Sequence, residues 1–119
     1  MANSRLIILF GSQAAGTAGK QSDTDIAVLS DRPLSLEERA EVGEHVAREL
    51  QVSEDLIDIV DLRLASPLLQ YQVAEHGRLI FGAPEEFTRF RVRAWKQYQN
   101  TARRRRARER SLAQKLYAQ

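Results

Sequence analysis

Residues 10–28 read FGSQAAGTAGKQSDTDIAV, and this stretch decides the fold. To its left, Arg5 to Phe10 (RLIILF) is a short apolar run that suits a strand buried on both faces, and Gly11 ends it. To its right, Thr24 to Leu29 (TDIAVL) is a second strand, closed by the turn-like Ser30-Asp31-Arg32-Pro33. The loop between them is too long for a tight hairpin and too small and polar to add to a core, so function is sought there. Asp23 and Asp25 lead into the second strand with one residue between them. Side chains alternate across a strand, so both carboxylates fall on one face.

The rest of the chain builds a sheet and its cover. Ser35 with Glu38 three residues on is a capping box, and it opens a helix through Leu50. Leu36, Ala40, Gly43, Ala47 and Leu50 mark its predicted apolar stripe, and His45 falls on its exposed part. Leu56 to Leu62 (LIDIVDL) is a third strand. Ser66-Pro67 caps and starts a second helix, which ends at Gly77. His76 sits just before that end, where a cation suits the helix dipole. Arg78 to Phe81 is a short fourth strand, and from Pro84 onward the chain reads as one long helix with Phe87, Phe90, Ala94 and Tyr98 on its apolar face. Trp95 and these aromatics read as helix-packing or interface residues. The order β-β-α-β-α-β-α predicts an α+β fold, a small mixed sheet flanked by helices with a long C-terminal helix.

Bulk composition bounds the chemistry. The chain has 119 residues, room for one core, with 43% apolar and 29% charged residues as in soluble globular proteins. It has no cysteine, which removes disulfides, thiolate catalysis and cysteine-based zinc sites. His45 and His76 are the only histidines, which argues against a histidine-rich metal site. No apolar stretch approaches the roughly 20 residues of a membrane span, and no signal-peptide core opens the sequence, so a cytoplasmic protein is expected. Charge is uneven. Residues 1–84 carry 7 Lys/Arg against 13 Asp/Glu, net −6; residues 85–119 carry 11 against 3, net +8. An acidic body with a basic tail suggests a tail that meets an acidic partner. We therefore divide the chain into a core, residues 1–83, and a basic C-terminal helix, residues 84–119, expected to dock a partner. The run Arg103 to Arg106 covers a whole helical turn and cannot all face one partner.

The carboxylates carry the chemistry. Asp58 sits mid-strand between Ile57 and Ile59 and can bring a third carboxylate from a neighbouring strand. Three converging acids repel one another, and burial disfavours their ionisation. A divalent cation relieves both costs, and hard oxygen ligands select Mg²⁺ or Mn²⁺ over zinc. Two such ions about 3.5–4 Å apart can clamp a nucleoside triphosphate for in-line displacement at phosphorus. Gly11 lets backbone approach a phosphate closely, and Ser12 offers a hydroxyl and an N–H.

Gly11-Ser12, ten residues, then Asp23-Thr24-Asp25 resembles the GSx10DxD signature of the polymerase-β-like nucleotidyltransferases, and most of all their smallest branch, the minimal nucleotidyltransferase (MNT) domains. The resemblance extends through LIDIVDLRLASPLLQYQVAEHGRLIFG and covers about residues 6–100. It implies a nucleotidyltransferase that uses ATP and Mg²⁺ (or Mn²⁺). Asp23, Asp25 and Asp58 would be metal ligands and catalytic acids, with Asp58 helping to deprotonate the attacking hydroxyl. Gly11 and Ser12 would hold the triphosphate. Asp61 competes for the third position, but alternation points it opposite to Asp58, which makes it a surface or strand-end residue.

Members of this branch are typically antitoxins paired with a HEPN-domain RNase toxin, and the branch activity is transfer of AMP from ATP to a toxin tyrosine. The chain departs from the pattern at Gln13-Ala14-Ala15, where many members carry an arginine. Slow transfer would follow if that arginine assists phosphate binding. Neutralisation of the toxin by binding alone, over a vestigial nucleotide site, is the alternative. Transfer to a small hydroxyl compound is disfavoured by the lack of a second domain. A nucleic-acid module using the arginine tail is disfavoured by the acidic body.

Overall fold

Alternation within the first strand sets out the whole architecture. Leu6 and Ile8 face one side and Ile7 and Leu9 the other, and all four are buried. A strand apolar on both faces needs cover on both, and this chain supplies it with helices. The computed structural model describes residues 4–11 and 23–117. Its elements are β1 (Ser4–Phe10), β2 (Thr24–Ser30), α1 (Leu36–Leu50), β3 (Ile57–Asp61), α2 (Pro67–His76), β4 (Arg78–Phe81) and α3 (Pro84–Tyr117), with a single 3-10 turn before β3. The four strands form one mixed sheet in the order β3-β2-β1-β4. β1 is antiparallel to both β2 and β4, whereas β2 and β3 run parallel. The parallel pair needs a crossover, and α1 is that crossover.

Two cores follow, one on each face. Ile7, Leu9, Ile26 and Val28 pack with Val42 and Val46 of α1. Leu6, Ile8 and Ala27 pack with Val73 and Ala74 of α2 and with Phe90 and Ala94 of α3. The result is a three-layer sandwich of α1, the sheet, and the α2–α3 pair, as expected for an α+β domain. Among the described residues no helix is long and apolar enough to cross a membrane.

Local sequence explains the element ends. Ser35 accepts from the Glu38 N–H while Glu38 reaches back to the Ser35 N–H, at 3.1 Å each. Ser66 caps α2 by accepting from the Leu69 N–H, with Pro67 at the first helical position. Gly77 ends α2 as expected but not through a left-handed backbone, for its φ is −76°. A Cβ there would lie 2.4 Å from the Val73 carbonyl and 2.5 Å from Ile8 Cγ2, so glycine is needed for close approach of chain to sheet. The α1 stripe is shifted from its expected register. Val42, Gly43, Val46 and Ala47 are buried, whereas Leu36 is 85% exposed because it lies a full turn ahead of the sheet contact. His45 is half-buried rather than exposed.

α2 and α3 are joined by specific contacts. Arg91 Nε donates to the Ala74 carbonyl at 2.9 Å, filling an acceptor that the end of α2 leaves open. Tyr71 and Tyr98 stack with ring centroids 4.2 Å apart. Past Thr101, α3 leaves the body: from Arg103 to Lys115 only Ala113 is even half-buried. That projection makes the molecule 61 Å long and only 31 Å wide.

Candidate active site

The strands bring their ends together at one edge of the sheet. Phe10 at the end of β1 pairs with Asp25 near the start of β2, and Asp25 pairs with Asp58 of parallel β3. Neighbouring strands lie about 4.8 Å apart, so Asp25 and Asp58 are direct cross-strand neighbours. Alternation fixes their face. Ile57 and Ile59 pack towards α1, so Asp58 points to the opposite side, the side on which Ala27 places Asp25. Asp23 lies just ahead of β2, exposed. The structure therefore brings Asp25 and Asp58 together in register and leaves Asp23 beside them at the strand mouth.

Charge builds up on Asp25. Partial burial holds its carboxyl above the ordinary value of 3.8, and the negative charges of Asp58 and Asp23 push it further in the same direction. Among the described residues none of the three acids is held in an ion pair. Among the same residues no group of three or more acids and histidines stands assembled as a metal cage. What is in place is a cross-strand pair of carboxylates, Asp25 and Asp58, with Asp23 nearby, oxygen donors of the kind that a hard divalent cation takes.

Gly11 completes the pocket wall. Its φ is +75°, a conformation that favours glycine, and a Cβ would stand 2.4 Å from Asp25 Oδ2. The carboxylate occupies the space that a side chain at position 11 would fill. Ser12 and Gln13-Ala14-Ala15 lie outside the described residues.

Asp61 corrects an expectation. It does end β3 and does point away from Asp58, but it is only 4% exposed. Its carboxylate accepts from the Leu34 N–H at 2.9 Å and the Arg63 N–H at 3.0 Å, tying the approach to α1 onto the end of β3. The face opposite the acids is covered by α1, so no solvated side was there for it to occupy. It is a structural carboxylate, remote from the acid cluster.

One wall of the site is not visible from strand patterns. Gln72 and His76, one turn apart near the end of α2, border a cavity of about 360 Å³ with Phe10 and Gly11. The sequence marks His76 only as a helix-end residue. The signal lay in length: ten residues of helix, Pro67 to His76, carry the chain about 15 Å back towards the acid edge before β4 begins.

Comparison with known proteins agrees with this geometry. The family model described as "Polymerase beta, Nucleotidyltransferase" matches residues 2–86. A protein adenylyltransferase MntA from Shewanella oneidensis is 38% identical across 81% of this chain and 67% of its own length. A second MntA, from Aphanizomenon flos-aquae, is 34% identical across 75% of this chain and 65% of its own. The chain thus spans about two thirds of the length of these curated relatives. Among solved structures, a toxin–antitoxin complex with AMP-PNP is similar at a TM-score of 0.75 and 34% identity, over 95% of this chain and 89% of that one. A tri-AMPylated Shewanella oneidensis HEPN toxin in complex with MNT antitoxin is similar at a TM-score of 0.68 and 31% identity, over 95% and 86%. Family match and paired strand carboxylates together place this chain in the polymerase β nucleotidyltransferase family.

Proposed function

We propose that this chain is a cytoplasmic antitoxin that transfers AMP from ATP to a tyrosine hydroxyl of a HEPN-domain RNase toxin. The observation that carries the proposal is the register that sets Asp25 opposite Asp58, with Gly11 closed against the Asp25 carboxylate. The similarity to MntA adenylyltransferases and to a complex holding a tri-AMPylated HEPN toxin supports the substrate class.

Each residue then has a task. Asp23, Asp25 and Asp58 would hold Mg²⁺, with Asp58 also placed to take the proton of the attacking hydroxyl. Bound Mg²⁺ would supply positive charge against the triphosphate and its developing transition-state charge. Gly11 and Ser12 would cradle the phosphates with backbone N–H and hydroxyl donors. The tyrosine oxygen bonds to the α-phosphorus, the bond from that phosphorus to the bridging oxygen breaks, and pyrophosphate leaves. A toxin so modified carries added negative charge where it must attract RNA phosphates, which opposes RNA binding.

The test is to incubate the purified chain and its toxin with ATP and Mg²⁺ and weigh the toxin. Mass gains in whole AMP units, absent with Asp25→Asn, are expected. Full RNase suppression with no change in mass would overturn transfer in favour of neutralisation by binding, the reading that the missing arginine at Gln13-Ala14-Ala15 favours.

A further inference from the structure

We infer that the free edge of β4 pairs with β4 of a second copy of this chain about a two-fold axis, joining two four-stranded sheets into one. The sheet has two edges, β3 and β4. An edge strand presents a row of N–H and C=O groups ready to pair with another strand. On β3 this row is interrupted, because the Arg39 guanidinium donates to the Ile59 carbonyl at 3.1 Å. Among the described residues nothing but β1 bonds to the backbone of β4. Helical cover is thin there as well. α1 links the parallel strands β2 and β3 and packs on Ile26 and Val28 of β2 and Ile7 and Leu9 of β1. β4 lies at the margin of that cover, and a cavity of about 410 Å³ opens between it and α1. Ile7, Leu50 and Ile80 give the cavity an apolar lining, Phe81 borders it 41% exposed, and Glu49 and Arg78 bring charges of opposite sign to it.

Charge and parity name the occupant. Glu49 and Arg78 are exposed, and among the described residues neither has an ion-pair partner. A face of one sign calls for an unlike partner, whereas a face with one charge of each sign can match itself. A two-fold copy presents its Arg78 to Glu49 and its Glu49 to Arg78, the self-complementarity that such an interface requires. Side chains directly opposite one another across an antiparallel pair share a face. Leu79 packs towards α2 and α3 and Ile80 towards α1, so the axis passes through one residue of β4 rather than between two. With Leu79 on the axis, each Arg78 lies opposite the other copy's Ile80, at the cavity that Glu49 borders. The apolar lining is then shielded from water, which drives the association. Asp25 and Asp58 stand on the other face of the sheet, on strands that do not touch this edge, so each copy keeps its own acid pair.

The experiment is sedimentation equilibrium of the full chain, free of toxin, from micromolar to sub-millimolar concentrations. The wild type is expected to pass reversibly from monomer to dimer. Glu49→Arg and Arg78→Glu should each weaken the dimer about tenfold or more by setting like charges together. The double variant restores opposite charges and should return to within a few-fold of the wild type. Because both residues are exposed, thermal midpoints of all three variants at low concentration should match that of the wild-type monomer. The chain has no cysteine, so Leu79→Cys gives a second readout. Oxidation should link copy to copy through the axis, whereas Leu36→Cys at the exposed start of α1 should stay free. A wild type that is monomeric at every concentration would overturn the inference. So would a dimer that neither single charge reversal weakens, or one that the double variant fails to recover. Charge variants that self-associate normally yet lose hold of the toxin would also overturn it and give this face to the toxin.

Discussion

At the scale of the residue, the role proposed for Asp25 places function and stability in opposition. Its folded-state pKa is raised by burial and by Asp58 and Asp23, so the folded protein holds its proton more tightly than the unfolded chain. The linkage sign follows: stability is greatest below the unfolded-state pKa and declines as pH rises through the folded one. Ionising Asp25 therefore carries a cost in the folded state. Asp25→Asn should raise the thermal midpoint at pH 7 in metal-free buffer, with the gain fading towards pH 3, while abolishing transfer. Mg²⁺ should raise the midpoint of the wild type more than that of the variant, since a ligand of the native state stabilises by mass action. Calorimetric scans across pH, with and without EDTA, check all of this. An Asn variant less stable than the wild type at neutral pH would remove the charge argument.

How far the sequence discloses these residues depends on what parity can tell. Period-two spacing predicts Asp23 and Asp25 on one face, although Asp23 lies just ahead of β2 and only Asp25 is within the strand. Parity also separates Asp58 from Asp61, but it assigns sides without saying which side is wet. Asp61 was expected at the surface or the strand end, and it ends β3 but is buried on the face that α1 covers. The pairing of Asp25 with Asp58 is a register between strands joined through α1, and register across a crossover has no local code.

At the scale of the element, the helix starts were legible because caps are local chemistry. Ser35 with Glu38 and Ser66 with Pro67 behave as their spacing dictates. The α1 stripe was less legible, since Leu36 satisfies helical periodicity but sits before the helix meets the sheet. Gly77 shows a residue whose place was readable and whose reason was not. Left-handed geometry would make Gly77→Ala strained through the backbone. Contact with Val73 and Ile8 makes it strained through packing instead. Gly77→Ala should cost about 1–3 kcal/mol, the usual range for overpacking. Ile8→Ala in the same chain should recover part of the loss by clearing Cγ2, although it leaves a cavity of its own. Chemical denaturation of the single and double variants measures the coupling; strictly additive losses would exclude the contact.

At the scale of the whole molecule, α3 divides along its length into a packed part and a projecting part. Phe90 and Ala94 are 3% and 1% exposed and belong to the core. Arg103, Arg104, Arg106, Arg108 and Arg110 belong to no core and stand exposed, while Arg105 lies over the Tyr98 ring at 5.6 Å. A chain ending at residue 102 should therefore keep its thermal midpoint and its affinity for AMP-PNP. It should lose transfer to the toxin through a raised toxin KM, and that loss should shrink as salt screens the charges of the full-length protein. Transfer kinetics in low and high salt test this, and equal KM values for the two lengths would relieve the arginines of any docking role. The charge asymmetry was plain in the composition. The point where the helix leaves the body was not, because α3 has no internal glycine or proline to mark it.

Tyr98, laid between Tyr71 and Arg105, is where the buried and free halves of that helix meet. Segments that share no interior can diverge at different rates. If the outer turns dock the toxin as proposed, they are free to follow its surface while the packed half stays against the sheet. A hybrid with the distal turns of another such chain, joined beyond this tyrosine, should inherit a new choice of target with the old chemistry.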